Sequence, residues 1–435
     1  KTITAIQTLK QLPLLLCLMR ISPIQDLQLE KLFKTIRKIL LNNINHIEET
    51  QELISFLSTL SLHCFTNEYI YFEGDEEVQQ VEYLENKISQ TVTQIKQVRL
   101  IDVLCLATYR PLISYAWCNK LQLFNQIPEI KLRLIEQPLI EKTMAKSMPI
   151  LRNISDDTSI KVMKQYKENP YPRWEKIKIL DKKMTITKFC DQYKLRLYNE
   201  NIKNIHAPEI LIAGCGTGQN SIEFATSFLN SQVTAIDLSA PSLAYAQRKT
   251  KELGIKNLEY LRGDILDLRY LDRKFDIIDC SGVLHHMKNP MKGWKTLVDL
   301  LKSSGFMRIG LYSKLARVQI NKIRNDIMSL GINSSKHEIK KFRQSLIDAQ
   351  NEDLQELITF RDFYSLSELT DLLFHVEESH FTIPQIQTCL TELGLKFCGL
   401  HSKDIIFQFK NFFGNNSDIY NLTEWNQFEE KKPNT

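Results

Sequence analysis

The sequence predicts an α/β domain with a doubly wound parallel sheet, preceded by an all-α region. Gly74 is the only glycine before Gly214, and the apolar residues of that first part recur at helical spacing, as at Leu29 and Phe33. From Glu209 onward, short apolar runs alternate with amphipathic helical segments, which is the pattern of parallel strands joined by helices. A chain of 435 residues is too long for one typical domain, so we expect two.

Composition argues against several classes of protein. The net charge is only +5, without a block of Lys and Arg, so no nucleic-acid partner is expected. Nine scattered cysteines form no C-x-x-C pair, which predicts neither a zinc site nor a disulfide scaffold but reduced thiols in a cytoplasmic protein. The apolar stretch 12–19 is too short to cross a bilayer, so no membrane partner is expected. The chain begins with Lys1 rather than Met, as a fragment would.

A glycine turn organises the second half of the chain, and its glycines stand at alternate positions: Gly214, Gly216 and Gly218. A strand is predicted at residues 210–213, a helix at 220–229 and a second strand at 233–236 that ends on Asp237. Glycines permit positive φ and let a ligand lie against bare backbone, while the helix N-terminus offers N–H groups to an anion. A terminal acid can accept hydrogen bonds from both ribose hydroxyls, so the pattern predicts a nucleoside-like ligand.

The spacing of the glycines discriminates between nucleoside-binding families. The dinucleotide fingerprint requires a glycine where Gln219 stands, which disfavours a nicotinamide oxidoreductase, and no Gly-Lys-Ser/Thr follows as in a P-loop. The turn resembles motif I of the class I S-adenosylmethionine (SAM) methyltransferases. The Asn-Pro-Tyr-Pro-Arg-Trp stretch at 169–174 resembles a motif of a bacterial group of these enzymes that carries a helical N-terminal extension. In one departure from the family pattern, Ile212 and Ala213 stand where an acid often precedes the turn.

The resemblance implies SAM as cofactor and a Rossmann-like sheet of seven strands in the order 3-2-1-4-5-7-6, with an all-α N-terminal domain. Five parallel strands are expected first. Two further strand candidates, 395–400 and 404–409, are separated by three residues and predict an antiparallel hairpin. The predicted domains are a helical accessory domain at 1–160, a cofactor-covering linker at 161–205, and a methyltransferase domain at 206–435 with a helical lid at 313–392.

The predicted cofactor-binding residues lie in the glycine turn and after the second, third and fourth strands. Asp264 can accept from the adenine amino group, and Ile265 can pack on the ring. The expected set comprises Gly214, Cys215, Gly216, Thr217, Gly218, Asp237, Leu238, Asp264, Ile265 and Ser281.

The linker carries aromatic residues and an arginine in an extended stretch, since its two prolines prevent a helix. One hypothesis is that Tyr166, Arg173 and Trp174 cover the SAM or acceptor pocket. The alternative is a domain seam held by aromatic packing.

Methyl transfer needs in-line positioning and, for a hydroxyl or amine acceptor, a group that takes its proton. His285 and His286 follow the fourth strand and are the candidate catalytic residues, with His375 and His380 as alternatives. The alternative interpretation is that these histidines only pack. No metal is expected, because Asp279 has no second acid nearby. The predicted function is SAM-dependent methylation of a small-molecule acceptor. Two other hypotheses remain: a protein or peptide acceptor that docks on the helical domain, and a non-catalytic interaction protein.

Overall fold

The computed structural model describes residues 2–168, 171–179, 182–350 and 352–433. Its contacts divide the chain into two compact units. The helical unit comprises Lys1–Thr143, Pro172–Lys176 and Asn325–Phe374. The sheet unit comprises Met144–Tyr171, Ile177–Arg324 and His375–Thr435. The two units therefore interleave along the chain, whereas the predicted domains follow one another.

The α-helices of the described residues are numbered in chain order. The first ten are α1 (Thr2–Lys10), α2 (Pro13–Ile21), α3 (Leu27–Asn42), α4 (Gln51–Thr66), α5 (Asp75–Thr93), α6 (Leu100–Ala107), α7 (Pro128–Lys131), α8 (Gln137–Lys146), α9 (Asp157–Glu168) and α10 (Ile186–Gln192). The others are α11 (Gln219–Ser227), α12 (Ala240–Glu252), α13 (Pro290–Asp299), α14 (Val318–Ser329), α15 (Lys336–Ala349), α16 (Glu352–Leu357), α17 (Leu366–Phe374), α18 (Ile383–Glu392), α19 (Lys403–Phe413) and α20 (Leu422–Lys431).

Five strands form one parallel sheet in the sheet unit. They are β1 (Glu209–Ala213), β2 (Gln232–Asp237), β3 (Leu258–Arg262), β4 (Phe275–Ser281) and β5 (Leu301–Gly310). Their spatial order is β3-β2-β1-β4-β5. This arrangement confirms the predicted five parallel strands of a doubly wound fold. Because the order reverses between β1 and β4, the carboxyl ends of these two strands border the crevice in which such sheets bind ligands.

The central strand β1 explains why the sheet is buried on both faces. Ile210 and Ile212 pack into one apolar core, whereas Leu211 and Ala213 pack into another. Alternate residues of a strand point to opposite faces, so these two cores lie on opposite sides of the sheet. A strand covered on both sides needs a continuous apolar run, which is the pattern that predicts β1.

The predicted hairpin at 395–400 and 404–409 is wrong. Residues 403–413 form α19, and its cap is Ser402, whose Oγ accepts a hydrogen bond from the backbone N–H of Ile405 at 3.3 Å. Ile406 and Phe409 are buried, and the Phe409 ring stacks on Trp425 at 3.9 Å. The spacing from Ile406 to Phe409 suits one face of a helix, and this face packs against an aromatic partner. In the described residues the sheet ends at β5.

A cavity of about 880 Å³ lies beside β5 within the sheet unit. Its lining is mainly apolar and includes Leu301 and Phe306 of β5 together with the segment 394–401. The cavity reaches Tyr312 but does not include the glycine turn. It is therefore distinct from the predicted cofactor site.

A buried ion pair joins distant parts of the sequence inside the helical unit. Both terminal nitrogens of Arg343 donate to the carboxylate of Glu30 at 2.7 Å, and Nε donates to the Phe363 carbonyl at 2.8 Å. Arg343 is 1% exposed and Glu30 is 5% exposed. The bidentate geometry satisfies both charged groups in an environment from which water is excluded.

Candidate cofactor and acceptor site

The glycine turn after β1 adopts a backbone that favours glycine at each of its three positions. The φ angles of Gly214, Gly216 and Gly218 are 81°, 51° and 83°. A Cβ on Gly218 would lie 2.5 Å from the Cβ of Ala246 and 2.8 Å from the Tyr260 hydroxyl. The turn therefore needs glycine for its conformation, and position 218 needs it for space as well.

Asp237 at the end of β2 ties the glycine turn to the neighbouring loop. Its Oδ2 accepts a hydrogen bond from the Gly216 N–H at 2.8 Å, and its Oδ1 accepts from the Ser239 N–H at 2.8 Å. Burial raises the pKa of this carboxyl, and the backbone N–H groups oppose that shift. A carboxylate has about four lone-pair sites, so Asp237 keeps acceptor capacity for a hydroxyl donor of a ligand.

The acid after β3 also occupies a buried position. Asp264 is 4% exposed, and its Oδ1 accepts from the Leu266 N–H at 2.9 Å. Burial raises the pKa of the Asp264 carboxyl. Ile265 belongs to the apolar core that also contains Leu211.

The other predicted cofactor residues lie around the same strand ends. Thr217 and Cys215 are buried, and burial raises the pKa of the Cys215 thiol well above its ordinary value, which is the behaviour of an inert thiol. Leu238 is half-buried, and its carbonyl accepts from Arg262 Nε at 3.2 Å. The Ser281 hydroxyl donates to Asp279 at 2.9 Å.

Replacing Asp237 with Ala is expected to weaken SAM binding by about 1–3 kcal/mol, because ligand donors and the Gly216 N–H would lose their acceptor. Calorimetric titration of the variant with SAM measures this change. Glu252→Ala, at the end of α12 and outside the site, is the matched control. Unchanged SAM affinity in Asp237→Ala would refute the ribose assignment.

Three histidines and a tyrosine stack at the carboxyl ends of β4 and β5. The His285 ring lies 3.8 Å from the Tyr312 ring and 4.2 Å from the His286 ring, measured between centroids. The His286 ring stacks on His375 at 3.6 Å. The Glu377 carbonyl oxygen lies 2.8 Å from Nδ1 of His286 and 2.7 Å from Nδ1 of His375. The structure thus brings both predicted catalytic histidines together with one of the alternatives.

Burial changes the chemistry of two of these rings. It lowers the pKa of His285 to about 2, and the nearby His286 and Arg317 contribute in the same direction. Burial likewise lowers the pKa of His375 to about 2. Both rings are therefore neutral at physiological pH and hold a proton poorly.

The low pKa of His285 predicts a pH dependence of stability. The unfolded state binds a proton below about pH 6.5, whereas the folded state does so only near pH 2, so acid favours unfolding. As the pH falls from about 6.5 towards 2, each such histidine is expected to lower the free energy of unfolding by about 1.4 kcal/mol per pH unit. Urea unfolding of the wild type and His285→Gln at several pH values measures this slope. The variant should have the shallower slope, and equal slopes would contradict the prediction.

The residues predicted to cover the pocket are divided between the two units. Tyr166 lies in the sheet unit, where its carbonyl accepts from the Ser239 hydroxyl at 3.2 Å and its ring lies 5.8 Å from the His375 ring. Arg173 lies in the helical unit, 4.1 Å above the Phe65 ring, and Trp174 is buried in the same unit. Residues 169–170 of the motif lie outside the described residues. The covering role of all three side chains remains a prediction.

Sequence reasoning missed the charged residues beside the histidines. Glu378 accepts a hydrogen bond from Arg317 and contacts His380, and the Arg317 guanidinium lies 3.7 Å from the Tyr312 ring centroid. The pattern Glu-x-His at 378–380 is the sequence feature that could have indicated this pairing of a carboxylate with a histidine. Its meaning depends on Arg317, which is 61 residues away in the sequence.

Comparison with known proteins identifies the fold family. Residues 210–305, which contain all but the first residue of β1, the strands β2 to β4, the glycine turn and Asp237, match a family described as methyltransferase domain. This segment is therefore a methyltransferase domain of the class I SAM-dependent type. The match confirms the predicted methyltransferase family and, with it, SAM as the cofactor. The site fits SAM, because Asp237 at the end of β2 lies beside the glycine turn and keeps acceptor capacity for ribose hydroxyls.

The chain is similar to proteins of several bacteria. An uncharacterized protein of Synechococcus sp. is 26% identical over 237 residues, which cover 51% of this chain and 56% of the relative. The ubiquinone biosynthesis O-methyltransferase of Rickettsia felis is 26% identical over 184 residues, covering 42% of this chain and 71% of that enzyme. PKMT2 from Rickettsia typhi, solved in complex with AdoHcy, has a TM-score of 0.40 and 20% identity over 52% of this chain and 47% of its own.

The chain spans about half the length of the Synechococcus relative and of the PKMT2 structure. In the part of the chain that the structure describes, no helix is both long and apolar enough to cross a membrane.

Proposed function

We propose that this chain transfers the methyl group of SAM to a small-molecule acceptor. The observation that carries the proposal is the carboxylate of Asp237, which holds the glycine turn at the switch point of the sheet and keeps acceptor sites for ribose hydroxyls. The bound cofactor supplies a methyl group already activated by its sulfonium. The protein positions the acceptor and excludes water.

In this proposal the glycine turn, including Cys215 and Thr217, holds the methionine part of SAM. Asp237 and Leu238 hold the ribose, and Asp264 and Ile265 bind the adenine. Ser281 lies at the carboxyl end of β4, beside the reacting groups.

The size of the proposed acceptor follows from the enclosure of the histidines. His285 is 1% exposed and His286 is 6% exposed, and their rings are packed against aromatic neighbours rather than facing an open groove. Enclosed rings of this kind offer no open groove to a folded protein surface, which favours a small-molecule acceptor.

Incubation with methyl-tritiated SAM tests the proposal directly. The low-molecular-mass fraction of a bacterial cell extract and its protein fraction serve as separate acceptor sources, and Asp237→Ala is the control for cofactor-dependent labelling. We expect label in the small-molecule fraction only. Label in the protein fraction would favour a protein acceptor, and no label despite SAM binding would contradict transferase activity toward either source.

A further inference from the structure

The four histidines near the ends of β4 and β5 differ in their fitness to accept a proton. His285 and His375 are 1% and 3% exposed, and burial lowers the pKa of each to about 2. An effective general base has a pKa closer to the working pH. His286 is 6% exposed, and its Nδ1 faces the Glu377 carbonyl at 2.8 Å. Two of these rings are too weakly basic for the role, and the third is almost wholly buried.

His380 differs from the other three in exposure and in its partner. Its side chain is 19% exposed, and its Nε2 lies 2.7 Å from Oε1 of Glu378. An ionised carboxylate only accepts hydrogen bonds, so Nε2 carries the proton and donates it to Glu378. Nδ1 then has a free lone pair, and no described residue donates a hydrogen bond to it.

Glu378 is held firmly enough to orient this ring. Its side chain is 1% exposed, and its Oε2 lies 3.1 Å from Arg317 Nη2 and 3.5 Å from Arg324 Nη1. Two guanidinium groups thus compensate the charge of the buried carboxylate. Arg324 is fixed in turn, because its Nη2 donates to the His375 carbonyl at 2.8 Å.

Backbone hydrogen bonds place His380 at the ligand-binding end of the sheet. The N–H of Ser379 donates to the His285 carbonyl at 2.7 Å, and the N–H of Phe381 donates to the Tyr312 carbonyl at 2.9 Å. His380 lies between these two anchors, beside the loop after β4 and the segment after β5. Parallel sheets bind their ligands at this edge.

We infer that His380, oriented by Glu378, accepts the proton of a hydroxyl or amine acceptor during methyl transfer. This inference rests on the proposed function and names its acceptor class. The acceptor oxygen or nitrogen forms a bond to the methyl carbon while the S–CH₃ bond breaks, and that electron pair remains on sulfur, giving S-adenosylhomocysteine. The acceptor proton passes to Nδ1 of His380, and the resulting imidazolium is stabilised by Glu378 before it releases the proton to water.

The tautomer of His380 tests the orientation without an identified acceptor. Long-range ¹H–¹⁵N correlation spectra of the full chain, labelled in its histidines and recorded at mildly alkaline pH, distinguish the two neutral tautomers. The His380 signals are assigned by their loss in His380→Gln. We expect the Nε2–H tautomer in the wild type and loss of this bias in Glu378→Gln. A predominant Nδ1–H tautomer in the wild type would overturn the inference, even if Glu378→Gln does not fold.

The turnover measurement uses methyl-tritiated SAM with the low-molecular-mass extract. We expect His380→Gln to lower the initial rate by about 100-fold, the usual contribution of a general base, with SAM affinity unchanged in calorimetry. The exposed His206, in the loop before β1, provides the matched control His206→Gln. Equal rates for wild type and His380→Gln would overturn the role of His380. Failure of the wild type to bind SAM would instead overturn the proposed function.

Discussion

Gly218→Ala is expected to destabilise the sheet unit by roughly 2–5 kcal/mol and to remove measurable SAM binding. A left-handed backbone costs a residue with a Cβ about 1–2 kcal/mol, and forcing an extra methyl into a packed site costs about 1–3 kcal/mol more. The new Cβ would lie 2.5 Å from the Cβ of Ala246, which cannot rotate away. The turn must therefore move, and the cofactor surface moves with it.

Gly254→Ala separates the cost of the left-handed backbone from the cost of crowding the new methyl group. Gly254 also has a positive φ, of 68°, but a Cβ there would meet nothing within 4 Å. We expect this control to lose about 1–2 kcal/mol and to bind SAM normally. Urea unfolding and calorimetry of both variants measure these effects, and equal losses for the two would contradict a crowded Gly218.

Glu30→Ala is expected to destabilise the helical unit by about 3–5 kcal/mol. The substitution leaves the guanidinium of Arg343 buried without its carboxylate, and an uncompensated buried charge is among the most costly defects in a protein interior. The free energy of unfolding from urea denaturation measures the loss.

The double variant Glu30→Leu with Arg343→Met is the informative control. It removes both charges and fills similar volume, so its stability should return close to that of the wild type. A double variant as unstable as Glu30→Ala would show that the cost arises from packing and not from charge. SAM binding serves as a second readout for the sheet unit, and it should be retained in both variants.

The five strands could be predicted because each has a local signature. Residues 210–213 and 233–236 are continuous apolar runs, and Asp237 marks the end of the second. The prediction for 404–409 is wrong because its apolar residues fit both a strand and a helix. A tertiary contact, the stacking of Phe409 on Trp425, favours the helix, and no local pattern contains that contact.

The acceptor side of the site could be predicted only in part. His285 and His286 can be recognised because they follow a predicted strand end. Glu378 could not be paired with Arg317 from the sequence, since the two are 61 positions apart and backbone hydrogen bonds bring them together. Which segments belong to each unit could not be predicted either, because contacts such as that between Glu30 and Arg343 join residues 313 positions apart.

Calorimetric titration of the purified chain with SAM, S-adenosylhomocysteine and NADH tests the central claim most directly. We expect both sulfur compounds to bind with Kd values on the order of micromolar, a free energy of about −8 kcal/mol, and NADH not to bind. Because Gln219 interrupts the dinucleotide fingerprint, the turn should distinguish these ligands. Binding of NADH, or of neither sulfur compound to the folded chain, would contradict the assignment of this site to SAM.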